Sequence, residues 1–268
     1  KLHRDGRLFG AVRHFMSERW SPQQIALTLA RIFPKGHEHR VSHETIYNCI
    51  YAQPVGELRK ELIACMRQAH NKRVPRSKGQ DRRGQIPDML SIHVRPPEIE
   101  DRQFPGHWEG DLIKGAANAS AVGTLVERTS RLVMLVKLPE FKPASAANVL
   151  QAFTDKLLSI AQPMRLSMTY DQGREMAMHK ELSKRTGIAV YFCDPHSPWQ
   201  RGSNENMNGL VRQYLPKGTD LSVYSQEHLD AIAEQINDRP RKGLGVRSPL
   251  AVYRELLINS PQHSTEIH

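Results

Sequence analysis

The sequence predicts two folded parts, a small all-helical domain followed by a larger mixed α/β domain. The N-terminal quarter shows only helical periodicity, whereas three β-rich runs follow one another after residue 106, before helical and strand patterns alternate. A length of 268 residues, 39% of them hydrophobic, is enough for one sizeable core and a small one. We therefore predict a helical domain at 1–66, a linker at 67–103, an α/β domain at 104–257 and a flexible tail at 258–268.

The basic charge of the chain indicates a polyanionic partner. The net charge is +10, and 19 of the 38 basic residues but only 11 of the 28 acidic residues precede Phe104. Basic side chains that neutralise phosphates release bound counterions, which gives affinity for nucleic acid whatever its sequence. We therefore expect nucleic acid, rather than a membrane, as the partner.

Cysteine usage and hydropathy predict a cytoplasmic protein. Cys49, Cys65 and Cys193 are isolated and odd in number, which argues against a disulfide framework and for a reducing compartment. The longest apolar run, Ile188 to Cys193, is far shorter than the ~18 residues that a membrane span needs. We recognise no signal peptide. Because the chain starts at Lys1 rather than Met, we expect a further segment before it.

Three helices are predicted in the N-terminal domain. The first, Arg7 to Ser17, has an apolar stripe, and the second begins at Ser21-Pro22-Gln23-Gln24, a capping-box pattern with proline at the first helical position. After a break at Pro34-Lys35-Gly36, Ser42 can cap a third helix. Two capped helices in succession are typical of a helix-turn-helix.

The third helix carries the candidate base-reading residues. In a helix-turn-helix, the N-terminal residues of the later helix enter the major groove of DNA. This geometry selects His43, Glu44, Thr45 and Asn48. The alternative is an ordinary solvated helix face. A zinc site is a further alternative, but the four possible ligands fit no zinc-ligand spacing well: His37, His39, His43 and Cys49.

The predicted linker is basic at first and then contains prolines and acids. Seven basic residues lie between Arg67 and Arg83, with Asp81 as the only acid, and three prolines follow before residue 104. This composition predicts an extended path along a partner or along the α/β domain, although a basic linker can also be merely solvated. Next to a DNA-reading domain, we expect four arginines to follow a DNA backbone: Arg73, Arg76, Arg82 and Arg83.

The α/β domain is predicted to contain a mixed five-stranded sheet with flanking helices. The first three strands are separated by short turn-like gaps, which favours an antiparallel meander, and the later strands alternate with amphipathic helices. The predicted strands are 107–113, 121–127, 132–138, 165–171 and 188–193. A constrained loop rich in Pro and Gly then leads into another helix, which Ser203 or Asn204 is expected to cap.

Three isolated acids lie at the ends of these elements. Asp111 shares one face of the first strand with Glu109, Asp171 ends the fourth strand, and Glu205 lies in the first turn of the later helix. Taken alone, Glu205 is also consistent with an ordinary capped surface helix. Together, three acids suit two-metal phosphoryl transfer, in which Mg²⁺ ions about 3.5–4 Å apart are held by carboxylates, waters and phosphate oxygens.

The motifs around these acids resemble those of a known family. The stretches His107–Asp111, Thr169–Met176 and Pro195–Leu221 are similar to the catalytic motifs of the insertion-sequence-thirty family of bacterial DDE transposases. The 33 residues between Asp171 and Glu205 match the spacing that the resemblance requires. The resemblance implies an RNase H-like core of the retroviral-integrase type. It also implies that three catalytic carboxylates hold two Mg²⁺ or Mn²⁺ ions: Asp111, Asp171 and Glu205.

The resemblance also implies an activity and partners. Metal-activated water would cut double-stranded DNA at an element end, and the freed 3′-hydroxyl would then attack a target phosphodiester. A homo-oligomer would hold the ends together, and no small-molecule substrate is expected. Two alternatives remain: a DNA-binding regulator without catalysis, and a nuclease that does not join strands. Glu109 is expected to support the site rather than to bind metal.

Basic residues around the predicted site are candidate phosphate contacts. Six are selected: Arg201, Arg212, Lys217, Arg239, Arg241 and Lys242. Arg201 and Arg212 flank the Glu205 segment and supply positive charge for an anion. The three that end the last predicted helix could instead complement its dipole.

Overall fold

The computed structural model describes residues 2, 6–52, 57–66, 86–195 and 197–259. The described residues before residue 80, together with Asp238–Pro249, form one compact unit, and the other described residues form a second. The domain boundaries at 66, 103 and 257 stay predictions. The four candidate linker arginines and the chain after residue 259 lie outside the described residues.

The first unit contains the predicted helices and one more. The α-helices in its described ranges are α1 (Arg7–Ser17), α2 (Pro22–Ile32), α3 (His43–Tyr51) and α4 (Glu57–Ala64). The predicted capping box is confirmed, because Ser21 Oγ accepts from Gln24 N at 3.3 Å and Gln24 Oε1 accepts from Ser21 N at 2.8 Å. The apolar stripes of the helices share one core, with Met16, Ile25 and Ile46 fully buried.

A late segment of the chain is part of this first unit. Gln24 Nε2 donates to the carbonyl of Pro240 at 2.9 Å, and Arg31 Nη1 donates to the carbonyl of Val246 at the same distance. Both contacts tie the segment Asp238–Pro249 to α2. The helical unit is therefore completed by residues more than 200 positions downstream.

The second unit is a six-stranded mixed sheet flanked by helices. The strand order is β1-β6-β5-β2-β3-β4; β2, β3 and β4 form the predicted antiparallel meander, and β5, β6 and β1 are parallel to β2. The strands are β1 (Leu90–Ser91), β2 (His107–Lys114), β3 (Ala121–Glu127), β4 (Val133–Lys137), β5 (Ser167–Tyr170) and β6 (Ala189–Phe192). The helices are α5 (Ala146–Leu158), α6 (His179–Thr186), α7 (Gly202–Val211), α8 (Gln226–Asn237) and α9 (Pro249–Ile258).

Both faces of the sheet are covered, and β2 contributes to both. Trp108 and Leu112 belong to the core shared with α5, α6 and α9, whereas Ile113 belongs to the core shared with α7 and α8. Side chains alternate between the faces of a strand, so Glu109 and Asp111 face the α7 side together with Ile113. This alternation directs both acids towards the helix that carries Glu205.

The sheet has one strand more than predicted. The extra strand, Leu90–Ser91, comes from the segment that the sequence predicts to be a linker, and it pairs with β6. A strand of two residues is too short to produce a period-two pattern. The same segment buries Ile86, Ile92 and Ile99, so its described part packs on the second unit.

Candidate active site

Helix α7 is held on the sheet by two asparagines one turn apart. Asn204 Nδ2 donates to the main-chain carbonyl of Glu109 at 2.9 Å, and Asn208 Nδ2 donates to Asp111 Oδ2 at 2.8 Å. Thr124 Oγ1 on β3 lies 3.2 Å from the amide oxygens of both asparagines. The helix is therefore fixed to β2 and β3 by side-chain hydrogen bonds at the level of the acids.

The N-terminus of α7 is capped from a neighbouring strand. The prediction that Ser203 or Asn204 caps this helix is wrong, because the helix starts at Gly202 and no side chain of its own loop caps it. Instead, Glu109 Oε2 accepts from Asn204 N at 2.8 Å. A carboxylate at this position satisfies a free N–H group and the positive end of the helix dipole. Local sequence could not reveal a cap that comes from 95 residues upstream.

The carboxylate of Glu109 is fully buried and paired with an arginine. Arg128 Nη1 lies 3.4 Å from Glu109 Oε1, and Arg128 Nη2 lies 3.5 Å from Glu100. Arg95 also pairs with Glu100 and donates to Thr169 Oγ1 at 2.8 Å. Burial lowers the pKa of Arg128, and the neighbouring Glu109 opposes that effect. Glu109 thus joins α7 to β2 and Arg128, and its predicted role in supporting the site stays a prediction.

Asp111 and Asp171 lie close together, one on β2 and the other directly after the neighbouring parallel strand β5. The register pairs Glu109 with Thr169, and each aspartate comes two residues later in the chain. Arg201 connects them: its Nη1 is 3.5 Å from Asp111 Oδ1, and its Nη2 is 3.3 Å from Asp171 Oδ2. The two carboxylates therefore converge on a single guanidinium.

Arg201 itself is almost completely buried. It is 8% exposed, donates to the carbonyl of Gly110 at 2.8 Å, and lies 5.9 Å from the ring centre of Tyr170. Burial lowers the pKa of Arg201, but the two aspartates outweigh it and raise that pKa. Burial raises the pKa of Asp111, Arg201 opposes this, and Asp171 adds to it. The guanidinium of Arg201 is thus already paired with both aspartates. The predicted contact of Arg201 with DNA stays a prediction.

Glu205 lies nearby on α7 but is not joined to the two aspartates. Its side chain is exposed, and it forms no ion pair with another side chain in the described part of the protein. It precedes Asn208 by three positions, so both residues lie on one face of the helix. Within the described ranges, no group of three or more His, Cys, Asp or Glu side chains could hold a metal ion.

The chemistry of the two converging aspartates fits a hard divalent cation. Mg²⁺ and Mn²⁺ prefer carboxylate oxygens and often use only one or two protein carboxylates together with waters and phosphate. Asp111 Oδ1 accepts from Leu112 N at 2.9 Å, and Asp171 Oδ1 accepts from Gly173 N at 2.9 Å. Such hydrogen bonds fix the orientation of a ligating carboxylate.

Three of the four candidate base readers on α3 are exposed. His43 and Glu44 are exposed at the helix start and lie 3.5 Å apart, and Asn48 is exposed one turn later. Thr45 is half-buried, and its hydroxyl lies 2.8 Å from Ser42 Oγ. His37 and His39, named in the alternative zinc set, pack against the ring of Phe33.

The remaining basic candidates differ in exposure. Lys217 and Lys242 are exposed, Arg241 is half-buried, and Arg239 is 1% exposed. Arg212 is half-buried and donates to the carbonyls of Leu215 at 3.2 Å and Lys114 at 2.9 Å. Of the six basic candidates, Lys217 and Lys242 are the two that are exposed, and the DNA contacts of all six stay predictions.

The sequence analysis did not predict the hydrogen bonds from Asn204 and Asn208 to β2, nor the buried positions of Arg95 and Arg128. Asparagine is unfavourable inside helices because its side chain competes for backbone hydrogen bonds. Asn204 and Asn208, four positions apart, were therefore a usable signal of tertiary hydrogen bonding. Arg95 and Arg128 gave no such signal, because isolated arginines are usually solvated.

Comparison with known proteins agrees with this topology. Residues 101–198 match the integrase core domain family. Among solved structures, the chain is similar to the catalytic core domain of BIV integrase, with a TM-score of 0.42 and 21% identity, over 56% of this chain and 94% of that one. The matched range contains β2 to β6, so the antiparallel meander and the parallel strands that follow it lie in an integrase core domain. The predicted α/β fold class, a mixed sheet with flanking helices after a small helical part, is confirmed.

Curated relatives identify the family more closely. The chain is 67% identical over 259 residues to the transposase for insertion sequence element IS1086 of Cupriavidus metallidurans, covering 97% of this chain and 76% of that protein. It is 44% identical over 234 residues to transposase InsI for insertion sequence element IS30A of Escherichia coli, covering 86% and 60%. The chain belongs to the insertion-sequence-thirty family of transposases. None of the helices in the described ranges has the length and apolar character of a membrane span.

Proposed function

We propose that this chain is the transposase of a bacterial insertion sequence, which binds element-end DNA, cuts it in a metal-dependent reaction and joins the freed 3′-hydroxyl to target DNA. The observation that supports this most is the convergence of Asp111, on β2, and Asp171, directly after the adjacent strand β5, on Arg201. The chain would act as a homo-oligomer on DNA in the cytoplasm. Its DDE character rests on Glu205 as the third acid.

Three carboxylates would hold the two ions, Mg²⁺ or Mn²⁺: Asp111, Asp171 and Glu205. When bound, the ions would activate the attacking water or hydroxyl and stabilise the leaving oxygen. Glu205 shares a helix face with Asn208, whose amide already touches Asp111. Because Glu205 is exposed, a change of side-chain rotamer can bring its carboxylate towards Asp111 at little cost.

The chain's own groups would prepare the site for a phosphodiester. Asn208 and the backbone of Leu112 hold Asp111, so its carboxylate does not need to be ordered during the reaction. Arg201 adds a fixed positive charge beside both aspartates, which reduces the repulsion between them and the incoming phosphate. Glu109 keeps α7, and thus Glu205, in place.

DNA recognition would be divided between the two units. The exposed residues at the start of α3 would read bases in the major groove. Basic residues would contact phosphates and so supply affinity without reading sequence. These candidates include the linker arginines together with Lys217 and Lys242.

A gel assay of cutting and joining tests this function. The substrate is duplex DNA taken from the borders of the element, and each reaction is run with Mg²⁺ and with a chelator. We expect Asp171→Asn to abolish cutting yet to leave sequence-selective binding unchanged, because only the metal ligand is lost. Asp155→Asn is the matched control, since Asp155 lies on α5, away from the two aspartates in sequence and element, and accepts a hydrogen bond from Gln151 on the same helix.

Each outcome of this assay separates the proposal from its alternatives. Retained cutting by the Asp171→Asn variant would refute the assignment of this carboxylate. Cutting without joining would indicate a nuclease. Binding without any divalent-dependent cutting would indicate a regulator.

A further inference from the structure

A tryptophan is exposed beside the candidate active site. Trp199 is 72% exposed, whereas Trp108 in the core of the same unit is fully buried. Trp199 lies in the short turn Pro198–Arg201, directly before α7. A large aromatic side chain left in solvent at a functional site indicates an interaction surface.

The backbone on the C-terminal side of this tryptophan is firmly anchored. The next residue, Gln200, accepts from Asp194 N at 2.8 Å through its Oε1 and donates to Asp194 Oδ2 at 2.8 Å through its Nε2. Asp194 Oδ2 also lies 2.9 Å from His93 Nε2. Two residues after Trp199, Arg201 is fixed between both aspartates. The hydrogen bonds of Gln200 and the ion pairs of Arg201 thus fix the backbone that carries the indole.

The chain keeps the backbone of Trp199 close to that of Arg201. Two residues of extended chain span at most about 7 Å, so the Cα atoms of Trp199 and Arg201 lie within that distance. A phosphodiester held by Asp111 and Asp171 would be adjacent to the Arg201 guanidinium. We therefore expect the sugar and base attached to that phosphate to come within reach of the exposed indole.

We propose that Trp199 stacks on the base next to the scissile phosphate after this base has left the DNA duplex. The proposal rests on the proposed function and goes beyond it, because it assigns a residue that positions the strand to be cut. Aromatic rings stack on any unpaired base, so the contact holds the strand without reading its sequence. An unpaired base is favoured over a protein partner because the ring lies beside groups that would bind a phosphate.

A cycle of changes in the protein and in the DNA tests this contact. The cut is first mapped with the unchanged full chain and Mg²⁺. Affinity is then measured with chelator present, by fluorescence anisotropy, for duplexes with a normal or an abasic nucleotide on either side of the mapped cut. We expect Trp199→Ala to weaken binding of the normal duplex roughly 5- to 150-fold, the range of base–aromatic stacking. Trp199→Phe should weaken binding of the normal duplex less than Trp199→Ala does, because a phenyl ring can still stack on a base.

The abasic duplex provides the decisive comparison. On that duplex, Trp199→Ala and the unchanged chain should bind equally, because the base that the indole contacts is absent. Phe141→Ala is the matched control, since Phe141 is 76% exposed but precedes α5, which covers the other face of the sheet. It should leave affinity for both duplexes unchanged.

Three results would overturn the proposal. Equal weakening by Trp199→Ala on normal and abasic duplexes would mean that no base is contacted, while the proposed function would still hold. A loss of self-association in sedimentation, without a difference between the duplexes, would assign the indole to a second copy of the chain. Absence of any cut by the unchanged chain would remove the proposed function and this inference together.

Discussion

At the scale of single residues, Asp111 depends on a hydrogen bond from Asn208. The amide donates to Asp111 Oδ2 at 2.8 Å, while Oδ1 is held by the backbone of Leu112. Loss of the amide would free one carboxylate oxygen to rotate away from its productive orientation. We therefore expect Asn208 to orient the Asp111 carboxylate without contacting the reacting atoms.

We expect Asn208→Ala to reduce the rate of cutting about 10- to 100-fold, the usual effect of removing a group that orients a metal ligand. Isothermal titration with Mn²⁺ should give a parallel loss of metal affinity. Asn206→Ala, at an exposed position on the same helix, is the control. A variant at position 208 with unchanged rate and metal affinity would contradict this role.

A second prediction for a single residue concerns His107 and pH. Burial, with help from Arg128 and Arg95, lowers the pKa of His107 from 6.5 to about 4. Between these values the unfolded chain binds more protons than the folded chain, so the free energy of unfolding must fall as the pH falls from 6.5 to about 4. The contribution of neutral His107 to the free energy of unfolding is fully present above pH 6.5.

Chemical denaturation at a series of pH values measures this effect. We expect His107→Gln, which can keep a hydrogen bond to Ser167, to show a flatter curve than the unchanged chain in that pH window. His228→Gln, with an exposed side chain, serves as the control. Parallel curves for the unchanged chain and the His107 variant would rule out this contribution.

At the same scale, the sequence selected the two aspartates as candidates but not their companions. Asp111 and Asp171 were selected because acids in predicted strands stand out against apolar neighbours and because their motifs resemble those of a known family. Arg201 was selected only as a positive charge for an anion, since the packing that buries it between the aspartates depends on residues 30 and 90 positions away. Contacts of that kind leave no local pattern.

At the scale of elements, helix α7 depends on a charge buried beneath its first turn. Glu109 is fully buried, accepts from the backbone of Asn204 and pairs with Arg128. Removing one partner of a buried pair leaves an uncompensated charge, which costs about 3–5 kcal/mol. Docking of the helix and stability of the sheet are therefore coupled through one carboxylate.

We expect Glu109→Ala to lower the free energy of unfolding by about 3–5 kcal/mol. The double variant Glu109→Ala with Arg128→Met should lose less than the sum of the two single variants, because the second change removes the orphaned charge. Denaturant titrations of all four proteins measure this coupling. Additive losses would mean that the two groups do not interact.

The predictability of each element follows from its length and its surroundings. Strand β3 was predicted at Ala121–Glu127, which are its observed bounds. The prediction was possible because its seven residues form a β-rich run and a turn-like gap follows them. Strand β1 could not be predicted, because its two residues become a strand only by pairing with β6. Helix α9 went unrecognised within a polar-ended segment, although Val252 is buried.

At the scale of the whole molecule, the excess of positive charge predicts salt-dependent binding. Each phosphate contact contributes about −0.9 to the slope of log K against log salt concentration on duplex DNA. We expect replacing the four predicted linker contacts by glutamine to reduce that slope by up to about 3.6: Arg73, Arg76, Arg82 and Arg83. Anisotropy titrations at a series of salt concentrations measure it.

Sequence selectivity should be unchanged in this variant, since phosphate contacts carry no base information. Replacing Lys180 and Lys184 on α6 by glutamine is the control, because these side chains lie on the second unit outside the predicted DNA contacts. An unchanged slope in the linker variant would remove these arginines from the interface.

The segment Asp238–Pro249 has a consequence for dissecting this protein. The chain leaves the sheet-containing unit after Asn237, contributes twelve residues to the helical unit and returns at Leu250. A fragment that starts after the linker would keep this excursion but lose Gln24 and Arg31, the groups that receive it. A fragment that ends before the linker would lack Asp238–Pro249, the segment that forms hydrogen bonds with α2. Neither unit can be excised by a single cut without damaging the other, so the helical unit can be moved intact into another protein only if two separate stretches of the gene are transferred together.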